Sequence, residues 1–170
     1  MIKKVKNKFG NTVVAEANIP VGTLIFSAQD WVSDESSGWA KLSVQEINAL
    51  PQPQRDLFLI YSYDVDFNHT IGTSDHSLAT HYSNFVNHRC DPNLGFDGED
   101  NVVAIKNIAV GEELTLDYGT FVTNFDQDFH CGCGSHNCRG DILKDDWKTM
   151  WNSGKTFTKH IRQEIEKLHG

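Results

Sequence analysis

Three of the four cysteines in this 170-residue chain, Cys131, Cys133 and Cys138, stand in the single stretch "CGCGSHNCRG". Gly132 and Gly134 are interleaved with them, and glycine lets a backbone curl tightly enough for several sulfurs to converge. A structural zinc requires such convergence: a closed tetrahedron of four protein ligands, thiolates among them. Three cysteines leave one corner open. Cys90, in "NHRCDPN" far upstream, is the only other thiol. It reads as the fourth ligand, with His136, His130 and His88 as rivals because imidazole also binds zinc. Metal-free thiols or a redox pair form the competing reading. If Cys90 closes the site, the chain beyond residue 130 must fold back onto the Asn87–Asn93 loop, and metal-binding energy becomes folding energy for that segment.

The length suits one domain with a small appendage. With 39% hydrophobic and 22% charged residues, the composition is that of an ordinary soluble globular protein. No apolar run approaches the length of a membrane span, so no membrane partner is expected. The start, "MIKKVKNKFG", is basic without a following apolar run, which argues against a secretory signal peptide. An intracellular place is therefore expected, nuclear or cytoplasmic, or inside a host cell to which the protein is delivered. The net charge of −8 is unevenly spread: from Asp56 to Asp128 thirteen acidic residues face only Arg89 and Lys106. Nucleic-acid binders carry a basic patch, so no direct nucleic-acid site is expected. An acidic middle suits a cationic partner such as a lysine-rich peptide, although a plainly solvated acidic surface has the same composition.

Strands are expected at Thr12–Ala17 and Thr23–Ser27, divided by the Pro/Gly turn of "NIPVG". "SVQE" has the Ser-x-x-Glu form of a capping box, which starts a helix near Ser43. Pro51 and Pro53 interrupt it. Arg55–Tyr63 is either a short helix or a strand, and Asp64–Ser77 is polar and loop-like. Asn101–Lys106 and Glu113–Gly119 read as strands. Trp147 and Trp151 share helical spacing, and Phe157, Ile161, Ile165 and Leu168 form the packing stripe of a closing helix.

Three segments, "NFVNHRCDPN" (Asn84–Asn93), "GEELTLDYG" (Gly111–Gly119) and "CGCGSHNCRG" (Cys131–Gly140), resemble in this order the signatures of SET-domain protein-lysine methyltransferases. The last is similar to the family's post-SET zinc motif. "FGNTVVAEANIPVGTLI" (Phe9–Ile25) is similar to its Gly-x-Gly segment. The resemblance implies a mostly β fold with peripheral helices: the β-clip of several small curved sheets, with a knot-like threaded core. It divides the chain into a SET domain at 1–120, a zinc-bound post-SET segment at 121–143 and a C-terminal helical extension at 144–170.

The resemblance further implies that S-adenosylmethionine binds on one face and that the target lysine enters by a narrow channel from the other. A histone tail is the first expectation for the substrate, and another basic protein the next. Tyr118 matches the principal catalytic tyrosine. Tyr61, in "YSYDVD", matches a second active-site tyrosine that also touches the cofactor, with Tyr63 as its rival. Gly10, Asn11 and Thr12 fall on the first cofactor-binding segment, Asn87 and His88 on the second. Leu116 and Tyr82 are assigned to the substrate channel. Leu116 stands where relatives carry Phe or Tyr, and without a hydroxyl there the site is expected to add more than one methyl group. Two positions depart from the pattern: Thr12 replaces a glycine where the backbone approaches the cofactor, and Asn84 replaces an arginine. The other reading is a catalytically silent SET-like module that binds zinc and peptide.

Overall fold

A computed structural model describes residues 1–8, 10–31 and 37–170. Phe9, the first residue of the Gly-x-Gly-like segment, lies outside them. Strand β1 (Ile2–Asn7) pairs antiparallel with β2 (Gly10–Ala15), from Ile2 opposite Ala15 to Asn7 opposite Gly10. The basic start is thus an edge strand. Its exposed lysines 3, 4 and 6 hide the strand from a reading by hydrophobic pattern and blunt an edge that would otherwise pair with other chains. Val13 and Ala15 of β2 point into the core.

Strand β3 (Leu24–Phe26), followed by the one-turn helix α1 (Ala28–Trp31), joins a second sheet of order β3-β9-β8, with β8 at Leu94–Phe96 and β9 at Val102–Ala104. The third sheet has the order β4-β6-β5, from β4 (Ala40–Ser43), β5 (Ser62–Asp64) and β6 (His69–Gly72). Between β4 and β5 run helices α2 (Val44–Ala49) and α3 (Gln52–Ile60). The capping box is formed: Ser43 Oγ accepts from the Glu46 amide, and Glu46 Oε2 accepts from the Ser43 amide at 2.8 Å. The ambiguous Arg55–Tyr63 stretch is both elements, helix to Ile60 and strand from Ser62. The polar stretch after Asp64 is more than a loop. β6 lies in it as the central strand of its sheet, and Asp66 turns the chain back by accepting from the Asn68 and His69 amides.

Two short parallel strands, β7 (Asn87–His88) and β10 (Thr115–Leu116), join stretches distant in sequence. Asn93 laces them together: its Nδ2 donates to the Glu113 carbonyl at 2.8 Å, and its Oδ1 accepts from the Thr115 amide at 2.9 Å. The expected strand Glu113–Gly119 is therefore cut short. Asp117 accepts from the Gly119 amide and caps a 3-10 turn at Tyr118–Thr120, which carries Tyr118 out of the ladder. The main apolar core includes Leu94, Ile108 and Leu114, each at most 1% exposed. Each such burial contributes ~1.5–3 kcal/mol.

After the cysteines come α4 (Trp147–Met150) and α5 (Lys159–His169). Trp147 is buried, but Trp151 turns outward and stacks on His169 with ring centroids 4.2 Å apart. The closing stripe packs through Phe157, Ile161 and Ile165, while Leu168 projects into solvent. No helix among the described residues is long and apolar enough to cross a membrane. Among the described residues the sheets are small, mostly antiparallel and not closed into a barrel, and the helices are few, in agreement with the β-rich architecture expected.

Candidate active site and cysteine cluster

A cleft open to solvent is lined by Tyr61, Tyr63, Leu116, Tyr118, Phe121 and Asn84, among others. Tyr61 arrives at the end of α3, where Pro51 and Pro53 have set the helix start, with its ring edge-on to His76 and Phe85. Tyr63, one pleat further, is 9% exposed and packs with Trp39 and Ile71 as core. Tyr82 is 41% exposed and does not line the cleft. Tyr118 donates its hydroxyl hydrogen to the Val86 carbonyl at 2.9 Å, and its amide donates to His88 Nδ1 at 3.1 Å. Burial, with the Glu113 and Tyr61 side chains nearby, pushes this phenol above the ordinary tyrosine range. It stays protonated at neutral pH and can orient a ligand but not act as its base.

The residues expected to hold the cofactor meet around one carboxylate. Glu113 Oε1 accepts from Asn87 Nδ2 at 2.8 Å and from the Thr12 hydroxyl. Thr12 is 2% exposed, so its side chain points inward and leaves the backbone surface of β2 uncrowded. Gly10, at φ +123°, holds a left-handed conformation that favours glycine, and among the described residues beyond its chain neighbours no atom lies within 4 Å of where a Cβ would stand. Asn11 beside it is exposed. The His88 ring is pressed between Tyr118 and Phe129, and burial lowers its pKa to about 4. Its Nδ1 accepts from Tyr118, so Nε2 carries the proton and faces Cys90 Sγ at 3.3 Å. Both ring nitrogens are thus engaged inside the protein, and a cofactor would meet the main chain of His88.

The sulfurs of Cys90, Cys131, Cys133 and Cys138 all lie within 4.8 Å of one another. The cysteine stretch is closed by Gln127 and Cys131 amides donating to the Ile142 and Gly140 carbonyls, and Gly140 makes this bend at φ +75°. Burial pushes the Cys90 thiol up, yet its sulfur receives two N–H donors, His88 Nε2 at 3.3 Å and the Arg139 amide at 3.4 Å. Such donors suit a thiolate, and a divalent cation is what makes a buried thiolate affordable. The four cysteines therefore fit zinc. Of the rival ligands, His130 pairs with Asp141 at 2.9 Å, His136 is exposed and outside the cluster, and His88 serves the cluster as a donor.

The SET-domain family profile matches residues 10–119, which is more than half of the chain. The chain belongs to the SET-domain family. It is 37% identical over 90 residues to histone-lysine N-methyltransferase 2D of Homo sapiens, covering 47% of this chain and 2% of that protein. It is 35% identical over 115 residues to histone-lysine N-methyltransferase SUV39H1-A of Danio rerio, 46% of this chain and 27% of that protein. Histone-lysine N-methyltransferase ASHH3 of Arabidopsis thaliana is 28% identical over 185 aligned residues, which span 99% of this chain and 47% of that protein. The chain thus spans less than half the length of each.

The SET domain also uses residues that sequence reasoning passed over. Glu113 joins the two segments expected to hold the cofactor, through Thr12 and Asn87. Asp64, buried and raised in pKa by that burial, accepts from the Thr123 and Asn124 amides at 2.6 and 3.0 Å. It thereby fastens β5, the strand that follows Tyr61, to the chain just after the Tyr118 turn. Asp117 binds Arg139 through both carboxylate oxygens, at 2.8 and 2.5 Å. The only local signals were "DVD" after Tyr61 and the Arg following Cys138.

Proposed function

We propose that this SET domain is a protein-lysine N-methyltransferase. The observation that carries the reading is the cleft in which Tyr61, Leu116 and Tyr118 meet, with Tyr118 anchored on both its hydroxyl and its amide. S-adenosylmethionine, when bound, supplies an activated methyl group on a sulfonium. The Gly10–Thr12 backbone, Asn87 and the main chain of His88 would hold it, with Tyr61 and Tyr118 at the methyl end. Tyrosine faces attract cations, and the tyrosines with Leu116 form an aromatic, half-buried passage that aligns the lysine nitrogen and excludes water. The lysine nitrogen attacks through its lone pair, so it must arrive unprotonated. The described cleft lining holds no carboxylate or imidazole, so the proton leaves to solvent.

The acidic stretch from Asp56 to Asp128 favours a cationic substrate, and a histone tail is the first candidate, ahead of other basic proteins. An intracellular setting follows from such a substrate: nucleus, cytoplasm or a host cell. Leu116, with no hydroxyl to hold a water beside the amine, supports transfer of more than one methyl group. Mass spectra showing only monomethyl product after exhaustive reaction would contradict that. One zinc per chain, held by Cys90, Cys131, Cys133 and Cys138, supports the structure without entering the chemistry.

The silent-module reading rested on Thr12 and Asn84, and Thr12 no longer favours it because its side chain is turned away. Radiolabelled methyl transfer onto core histones and a cell lysate tests the reading. Wild-type protein should incorporate label, and Tyr118→Phe should lose about a hundredfold in rate with cofactor affinity nearly unchanged. A mutant as active as wild type would displace Tyr118 from its role. Calorimetry that finds no cofactor binding at millimolar concentration would favour the silent module.

A further inference from the structure

Asp117 directly precedes Tyr118 and is 1% exposed. A buried carboxylate costs several kcal/mol unless its partners compensate. Burial alone would push its carboxyl upward, but Arg139 and Lys155 hold it below the ordinary carboxylate range. Arg139, next to Cys138, grips both oxygens and is itself held by Asp146 at 2.8 Å. Lys155 comes from the C-terminal extension, beyond the matched SET segment. Its Nζ lies 2.9 Å from Asp117 Oδ2 and donates at 2.6 Å to the Cys90 carbonyl.

One ammonium therefore touches the turn that presents Tyr118 and the loop that presents Asn87 and His88. Gly119 makes room for this arrangement, since a Cβ there would stand 3.1 Å from both Arg139 and Asp146 and 3.0 Å from Met150. The extension is seated close by: the Thr158 amide donates to the Thr120 carbonyl at 3.1 Å, and Thr156 Oγ1 accepts from the Phe96 amide at 3.0 Å.

We infer that Lys155 is a positioning residue for methyl transfer: by bridging the Asp117 carboxylate and the Cys90 carbonyl, it fixes Tyr118 relative to the cofactor loop. The extension then belongs to the active-site scaffold. This inference rests on the methyltransferase reading, so its test carries a readout that needs no turnover.

Lys155→Met keeps the aliphatic stem and removes the charge. Its kcat should fall about tenfold, as expected for a small misplacement of a reacting geometry, while KM for S-adenosylmethionine stays within about twofold. With ¹³Cζ-labelled tyrosine the chain shows four ring signals, from Tyr61, Tyr63, Tyr82 and Tyr118. The Tyr118 signal, assigned by Tyr118→Phe, should shift in Lys155→Met. Lys155→Arg keeps the charge and should restore both rate and signal, because an open cleft borders Lys155 and leaves space for the larger head group. Lys148→Met removes an exposed lysine of the same extension and should change neither. A purely structural Lys155 would lower the melting temperature but leave kcat per folded molecule and the Tyr118 signal unmoved, and that result would overturn the inference. Should Lys155→Met not fold, Lys155→Gln, which keeps a donor but no charge, is read in the same way. If wild-type protein transfers no methyl group, the methyltransferase reading fails, and the Tyr118 signal alone decides whether Lys155 positions it.

Discussion

Leu94, Ile108 and Leu114 belong to one apolar interior shared by the β1-β2, β3-β9-β8 and β7-β10 sheets, and each is at most 1% exposed. The cysteine stretch from Cys131 to Cys138 contains no helix or strand, and only Cys131 of it is buried with a hydrophobic side chain, in a small cluster with Cys90 and Ile142. The first region gains its stability from water leaving apolar surface, which needs no partner from outside the chain. The second converges on four sulfurs and gains stability from whatever binds them. Yet both end at Tyr118: Leu114 leads into the strand before it, and Tyr118 packs against the cluster of Cys90, Cys131 and Ile142. Two regions with different sources of stability thus hold one residue, and they should fail under different treatments.

The largest expected effect is on the apolar side. Leu114→Ala should cost about 3 kcal/mol, from lost transfer energy plus a residual cavity, and lower the urea midpoint of the whole chain. A change below about 0.5 kcal/mol would mean that this side chain is not central to the core. On the cysteine side the effect should be narrower. Cys90→Ser should reduce zinc content from about one per chain and increase amide exchange in residues 127–142, while β2, β8 and β9 keep their protection. Full zinc occupancy with unchanged exchange would break the assignment of Cys90 and return attention to a histidine.

A smaller effect separates the C-terminal extension from both regions. The His160 Nε2 is buried without a hydrogen-bond partner among the described residues, and burial lowers the pKa of this imidazole from 6.5 to about 4. The unfolded chain then binds the proton more readily than the folded one. The stabilising contribution is whole above about pH 6.5 and shrinks as acid is added, until loss is complete below about pH 4. His160→Gln should flatten this part of a urea-midpoint series against pH. A slope identical to wild type would show that the ring is solvated.

Much of the apolar region was legible because its signals are local. The Ser43 capping box, the Pro51 break and the strands around Val13, Phe26 and Val103 announce themselves within a few residues. β1 was hidden because Ile2 and Val5 stand three apart among lysines and show no period-two alternation, and β6 because a polar strand between two partners has no need of a hydrophobic run. The cysteine cluster was legible for the opposite reason: thiols are rare, and four of them need one another. The ion pairs that unite the regions were not legible. Nothing near Asp117 in sequence says that Arg139 and Lys155 will neutralise it, since a buried carboxylate finds its partners only through the fold. Thr12 teaches the same lesson, for its direction is decided by Glu113, 101 residues away.

The coupling of metal to active site is tested most directly by methyl transfer to core histones before and after chelation, with zinc content measured alongside. Removal of the metal should abolish transfer while far-UV circular dichroism keeps most of its β signal, and restored zinc should restore activity. Full transfer by metal-free protein would contradict the coupling and leave the cysteine segment a bystander to the chemistry.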